Sequence, residues 1–354
     1  MKKRSCVILG CSGTVGQRLI EALYPHPWFD IVDIAASQRS AGQKYKDRMR
    51  DSWYLSSDIP DEIAEMVIKP MDPKVVEEAD LAFSALPSGI AKEVEPEFAK
   101  AGYVLTSNAS AFRMTEDVPL IIPEINADHL QLIDIQKEQR NWPGAICTDP
   151  NCTTIGLAMV FKPIYDRFGI EEAIMNTWQA ISGAGLPGVP GLLITDNVIP
   201  YISGEEEKVI SEVHKILGKF EDDHIVKADF KMAATCTRVP TIDGHFETAY
   251  IKTKEPVDIE EVKKVIREFP GLDSLGLPYA PKDPLIVREE MNRPQPRLDR
   301  MAGSVPGMSV TVGRIRPGLD EKSINLCLIS HNTIRGAAGA VILNAELMCV
   351  KNYV

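Results

Sequence analysis

Cys6-Val7-Ile8-Leu9-Gly10-Cys11-Ser12-Gly13-Thr14-Val15-Gly16 is the stretch that decides the fold class. Four apolar residues predict a short strand, glycines at 10, 13 and 16 predict a tight turn, and residues 17–23 predict the helix that follows. Glycine at such places lets the turn close, lets a phosphate approach the backbone and lets the helix pack against the sheet. A lone G-x-x-G-x-x-G is a looser pattern than G-x-G-x-x-G and decides little. The second predicted strand, residues 31–36, supplies the βαβ setting such a turn requires. Gly10, Ser12, Gly13, Thr14, Val15 and Gly16 thereby become the candidate dinucleotide-binding turn.

The end of that second strand bears on which dinucleotide fits. An acidic residue there hydrogen-bonds the 2'-hydroxyl of NAD and repels a 2'-phosphate. This chain has none; Ser37-Gln38-Arg39-Ser40 offers two hydroxyls and a guanidinium, a set that binds phosphate through charge-assisted hydrogen bonds. Read so, Ser37, Arg39 and Ser40 select NADP, against the competing reading of a solvated surface loop. Residues 81–86 predict a buried strand whose carboxyl end, with Ser84, Leu86 and Pro87, falls at the ligand edge of a doubly wound sheet. Residues 102–108 repeat the arrangement and lead to Arg113, a lone cation that either faces an anionic ligand or lies on the surface. Helices over 61–67 and 90–101 complete the β/α alternation, and Pro143-Gly144 marks the expected domain boundary.

From Glu172 the pattern changes. Longer strands over 173–181, 228–239, 246–252, 285–289, 308–316 and 324–329, interrupted by helices near 192–199, 205–217 and 259–268, predict a mostly antiparallel α+β domain. Gln179 leads into Ser182-Gly183-Ala184-Gly185, a turn that either approaches a cofactor or simply reverses the chain. Asp243-Gly244 signals a tight turn flanked by Arg238 and His245. Residues 331–345, crowded with small side chains, are expected to return to the first domain and pack near the Gly10 turn.

The 354 residues suffice for two cores, and 44% hydrophobic with 25% charged residues is ordinary globular composition. A formal net charge of -11 without long runs of like charge argues against a nucleic-acid or acidic-membrane surface, so positive charge for an anionic ligand must be local. Seven scattered cysteines without a C-x-x-C pair argue against a disulfide framework or a metal site. The basic opening Met1-Lys2-Lys3-Arg4-Ser5 is followed by too short an apolar run for a signal sequence, and no stretch approaches a membrane span. A reduced, cytoplasmic setting is expected.

One cysteine stands apart. In Asp149-Pro150-Asn151-Cys152-Thr153-Thr154 an extended approach, 145–148, gives way to an apolar helical run, 155–165. At a helix start the sulfur meets unpaired backbone N–H groups and the positive end of the dipole, which favour thiolate. By residue type alone, a buried inert thiol is the commoner case.

These segments together resemble the aspartate-β-semialdehyde dehydrogenase family, in its archaeal and fungal type, across essentially the whole chain. The resemblance rests on residues 10–17, 150–154, Gln179 with 182–185, 238–245 and 332–338. It implies Cys152 as nucleophile, His245 as acid/base, Gln179 as the residue orienting a thiohemiacetal, and Arg238 as the clamp on a substrate carboxylate. It implies Glu205 with Lys208 as the pair for substrate amine and phosphate, with Glu206 as an alternative register. Arg113 is similar to the family's phosphate-binding arginine, and Asn332 falls where the family contacts the nicotinamide. Asn151 and the backbone N–H of Cys152 are candidate donors to an oxyanion.

The fold so implied is α/β, with a Rossmann-type NADP-binding domain over 1–149, a catalytic and dimerisation domain over 150–330, and a terminal helix, 331–354, packing back on the first. A homodimer or homotetramer acting on β-aspartyl phosphate, aspartate semialdehyde and phosphate is implied, with no nucleic acid or membrane partner. Two departures stand out: Cys11 replaces the usual alanine, expected to sensitise the cofactor turn to thiol reagents, and Asp149 replaces a commoner asparagine. Malonyl-CoA reductase shares the thiol chemistry without needing an amine-binding acid, N-acetyl-glutamyl-phosphate reductase is a more distant rival, and a non-catalytic NADP-binding thiol sensor would need none of Gln179, Arg238 and His245.

Overall fold

The computed structural model describes residues 3–354; Met1 and Lys2, the start of the basic opening, lie outside the described residues. The first sheet is parallel throughout. Its strands are β1 (Arg4–Leu9), β2 (Phe29–Ala36), β3 (Lys69–Pro70), β4 (Leu81–Ser84), β5 (Val104–Ser107) and β6 (Ala145–Thr148), in the order β3-β2-β1-β4-β5-β6. The order reverses between β1 and β4, which opens a crevice at their carboxyl ends. β6 belongs to this sheet, so the sheet continues past the Pro143-Gly144 pair. The central strands are wholly buried, as a sheet covered on both faces requires.

After β6 the chain enters a helix, Cys152–Phe168, which is buried on every side over 153–161 and packs into the largest core cluster. Its outer partner is a second sheet. After β7 (Ile170–Gln179) and a small hairpin, β8 (Lys219–Glu221) with β9 (His224–Val226), come β10 (Lys231–Arg238), β11 (His245–Thr253), β12 (Leu285–Arg288), β13 (Val310–Pro317) and β14 (Ser323–Ser330). The order is β10-β7-β11-β14-β13-β12; the inner three pairs are antiparallel and the two outer pairs parallel. β11 alternates buried and half-buried residues along its length, so one face packs inward and the other looks outward.

Two sequence expectations change here. Asp243-Gly244 does not close a hairpin, because β7 lies between β10 and β11; residues 239–244 cross over it. The helix expected near 192–199 shrinks to Gly191–Ile194, with Asp196 at a φ of 56° beyond it. The closing helix, Gly339–Val350, returns to the first sheet. Val341, Ile342, Leu343 and Leu347 are fully buried there, and Thr106 Oγ1 donates to the Val341 carbonyl at 3.0 Å. A turn of wide helix, Ile334–Ala338, precedes it and carries Arg335, whose guanidinium makes a buried bidentate pair with Glu124 at 2.9 and 2.8 Å. No helix among the described residues is long and apolar enough to cross a membrane.

Candidate active site

The crevice above β1 and β4 runs on toward Cys152 as one cleft of about 690 Å³. At its first end Gly10 sits at a φ of +86°, where an added Cβ would stand 2.7 Å from the Ala85 carbonyl oxygen. The helix Thr14–Leu23 begins at Gly13 without a side-chain cap, which leaves its first N–H groups facing the cleft. Gly10, Ser12, Gly13, Thr14 and Val15 line it; Gly16 instead packs the helix on the turn, where a Cβ would lie 2.8 Å from the Cys11 backbone. Leu86 and Pro87 close the β4 side.

Several cofactor candidates are rearranged. Ser37 lines the cleft, whereas Arg39 is exposed beside it. Ser40 is buried and its Oγ accepts from Nε of Arg48 at 3.0 Å; the cation in the cleft is Arg48, whose Nη1 also donates to Ser52 Oγ at 3.3 Å. Ser84 turns away: its hydroxyl donates to buried Glu95 at 2.6 Å. Cys11 does not expose a reactive thiol, since it is fully buried and burial pushes it up to about 12. The uncapped helix start and the Arg48 cation are of the chemistry that a dinucleotide bearing a 2'-phosphate requires.

At the second end Asn151 caps the Cys152 helix. Its Oδ1 accepts from the N–H groups of Thr153 at 2.9 Å and Thr154 at 3.4 Å. Cys152 is therefore the first helical residue, partly exposed at the cleft floor. The Asn151 side chain is less free for an oxyanion than expected, because its Nδ2 donates to Glu205 Oε1 at 3.0 Å.

The second sheet delivers the rest. β10 and β7 pair in parallel with Arg238 opposite Gln179, and one step past the Phe246–Trp178 pair His245 falls beside Gln179, with Ser330 on its other side. Three strand ends thus line up without a hairpin. His245 Nε2 lies 3.1 Å from Cys152 Sγ. Its Nδ1 lies 3.1 Å from the Ala180 backbone nitrogen. That nitrogen can only donate, so Nδ1 accepts, and in the neutral ring Nε2 carries the hydrogen and donates to sulfur. Burial, with Arg238 and His331 nearby, holds His245 well below the usual histidine range.

Arg238 donates to the Ala180 carbonyl at 2.8 Å, and Gly183 lies over both functional groups; a Cβ there would stand 2.9 Å from Arg238 Nη1 and 3.3 Å from His245 Nε2. Gln179 is buried with its Nε2 unpartnered among the described residues, an amide open to a ligand. Asn332 Oδ1 accepts from the Gly244 N–H at 2.8 Å and its Nδ2 donates to Ser182 Oγ at 2.8 Å, so the closing turn and the glycine turn meet at the cleft.

Glu205 is buried at the start of a helix, Glu205–Ile216, and accepts from the Asn151 side chain, while Glu206 accepts from the Cys236 N–H at 3.0 Å. Lys208 is half-buried one turn along. Arg113 is buried and lines the cleft, paired with Glu212 at 3.2 Å. Burial pushes the Cys152 thiol up to about 12, with Glu205 adding to the rise and Arg238 and Arg113 opposing it.

Four further residues went unread in the sequence. Arg48 gives no local signal. Glu212 lies seven positions beyond Glu205, a helical repeat that marks the same face. Lys215 follows at the next turn and donates to three backbone carbonyls. Glu247, two residues past His245 on the same face of β11, is fully buried with neither oxygen partnered among the described residues, and burial with Glu205 holds it well above the usual carboxylate range. Asp149, the departure before Pro150, is likewise pushed up, to about 8, chiefly by burial.

Comparison with known proteins gives the family. Family profiles described as semialdehyde dehydrogenase, NAD binding domain, and semialdehyde dehydrogenase, dimerisation domain, match residues 5–133 and 161–335. The aspartate-semialdehyde dehydrogenase of Archaeoglobus fulgidus is 53% identical, over 96% of this chain and 96% of that one. The chain belongs to the aspartate-semialdehyde dehydrogenase family. A crystal structure of aspartate semialdehyde dehydrogenase with NADP from Candida albicans superposes with a TM-score of 0.90 at 39% identity, covering 99% of this chain and 100% of that one. Family likeness extends to a malonyl CoA reductase (NADP) of Metallosphaera sedula, 39% identical over 98% of this chain and 97% of that one.

Proposed function

We propose that the chain is an NADP-dependent, phosphorylating aspartate-semialdehyde dehydrogenase. It reduces L-β-aspartyl phosphate to L-aspartate 4-semialdehyde and releases phosphate, in the biosynthesis of lysine or diaminopimelate, threonine, methionine and isoleucine. The observation that carries this reading is the 3.1 Å approach of His245 Nε2 to Cys152 Sγ at the floor of a cofactor cleft, with Arg238 and Glu205 beside it.

Cys152 attacks the acyl carbon as the thiolate; the C–S bond forms, the bond from that carbon to the bridging oxygen breaks, and phosphate leaves with the electron pair and takes up the proton that the thiol gave up. Arg113, on the cleft lining, meets that phosphate, and Lys208 is the second cation assigned to it. NADPH, which Gly10 to Val15, Ser37 and Arg48 would hold, would supply the hydride for reduction of the thioester. Gln179 and the Cys152 N–H face the oxygen of the resulting tetrahedral adduct. Breakage of the C–S bond returns the electron pair to sulfur as thiolate. His245, with hydrogen on Nε2, stabilises the sulfur at the start and end of the cycle and the oxygen between them. Arg238 binds the α-carboxylate with its planar fork and Glu205 the α-ammonium, a pair of opposite poles that selects an amino acid.

Ile174, Trp178, Phe246 and Tyr250 stand on the outward face of the second sheet, within the segment matched by the dimerisation profile, and Ile174 is 48% exposed. That face supports a homodimer, or a tetramer built from it. Seven free cysteines suit a cytoplasmic setting.

Malonyl-CoA reduction is the second reading. It leaves Glu205 without a cation, which disfavours it. The deciding assay compares phosphate-dependent NADP reduction by aspartate semialdehyde with reduction by malonate semialdehyde plus CoA; activity only in the second sinks the proposal.

A further inference from the structure

Glu212 is 1% exposed and takes no part in the steps above, yet both its oxygens are engaged at the site. Oε2 accepts from the Asn151 N–H at 2.6 Å, immediately before the nucleophile. Oε1 accepts from Arg113 Nη1 at 3.2 Å. Arg113 Nη2 donates to the Asn108 carbonyl at 2.7 Å, and its Nε is unpartnered among the described residues. Three residues on, Lys215 donates to the carbonyls of Arg113 at 2.8 Å, Thr115 at 2.9 Å and Val118 at 2.8 Å, so the loop bearing Arg113 is fastened to the same helix. That helix also begins with Glu205, which accepts from the Asn151 side chain.

We propose that Glu212 is a positioning residue that fixes the distance between the cation for the departing phosphate and the sulfur that displaces it. The proposal rests on the reading of Arg113 as the phosphate-facing cation. A carboxylate suits the task because its two oxygens accept at once, one from a backbone N–H and one from a guanidinium. An amide keeps only one acceptor. The backbone donor is fixed by the helix start, whereas the guanidinium is on a long side chain, so Glu212→Gln retains Asn151 and releases Arg113.

The test uses the full chain, with KM measured separately for inorganic phosphate and for aspartate semialdehyde, and with the rate of Cys152 alkylation by iodoacetamide. A lost charge-assisted bond is a factor of about ten or more. Glu212→Gln is expected to raise the phosphate KM by roughly that factor, while the aspartate semialdehyde KM and the alkylation rate without phosphate move less than about threefold. Arg113→Lys probes the link from the other side. It keeps the charge but loses the fork that reaches Glu212 and Asn108 together, and is expected to raise the phosphate KM similarly. A purely structural role would lower the melting temperature and raise both KM values alike, which overturns the proposal. A phosphate KM raised in Arg113→Ala but unmoved in Glu212→Gln and Arg113→Lys overturns the role of Glu212 alone. A phosphate KM unmoved in Arg113→Ala overturns the reading of Arg113 beneath it.

Discussion

Gly336 lies against the backbone of Cys152: a Cβ built on it would stand 2.7 Å from the Cys152 Cβ and 2.9 Å from its Cα. Neither atom belongs to a flexible tip, so an added methyl has to move the nucleophile. Gly336→Ala is expected to lose about 1–3 kcal/mol of stability through overpacking. Displacing the reacting atom by around 1 Å should lower kcat on the order of a hundredfold. Thermal melts and initial rates check both, and an unshifted melting temperature with full turnover would show that the contact relaxes freely.

Arg48, and not Arg39, reaches the cleft beside Ser37. Arg48→Ala is therefore expected to raise the KM for NADP at least about tenfold, the value of one charge-assisted phosphate contact, with little change for NAD. Arg39→Ala should do much less. Cofactor titrations of the two variants decide the assignment; the opposite ranking returns the role to Arg39.

Glu205 is the largest nearby charge holding the Cys152 thiol up. Removing that charge lowers the thiol pKa and raises the thiolate fraction at any fixed pH. Glu205→Gln should be alkylated faster by iodoacetamide at pH 8 than the parent enzyme, even as its KM for aspartate semialdehyde rises. A slower alkylation would mean that the carboxylate does not act on the sulfur through its field.

Glu247 gives a pH signature in stability. Its folded pKa is raised well above the ordinary carboxylate value by burial and Glu205. Above about pH 4.3 the unfolded chain has therefore lost this proton while the folded chain keeps it. The folded state binds more protons in that window, so stability falls as pH rises toward the folded pKa, by up to about 1.4 kcal/mol per pH unit. Glu247→Gln removes the penalty. Its melting temperature should gain on the parent's as pH rises above about 5, until the folded carboxyl itself ionises, and a constant difference would show the carboxyl to be ionised throughout.

The sequence made the first half legible because local signals suffice there: apolar runs, glycine turns and alternating helices give β1, β2, β4 and β5 and the Gly10 turn. The place of Cys152 at a helix start was legible for the same reason, whereas the cap made by Asn151 was not read. The second half was less so, since the approach of Arg238, Gln179 and His245 depends on β7 lying between β10 and β11, a pairing that no short stretch encodes. Asp243-Gly244 is a sound turn signal, but here the turn belongs to a crossover. Arg48 was missed because its near partners in sequence, Ser40 and Ser52, give no sign of the cleft it enters, and Glu212 because it meets Asn151 from another helix.

The closing helix has a consequence for how the molecule is made. Val341, Ile342, Leu343 and Leu347 complete the core behind the first sheet, and Arg335 locks the preceding turn to Glu124. On the ribosome those residues emerge long after β1 to β6, so the half that is translated first waits with an open apolar face while the second sheet is still being synthesised. The earliest-born half is the last to be finished, and an apolar surface of the kind that favours aggregation stays uncovered until that helix arrives.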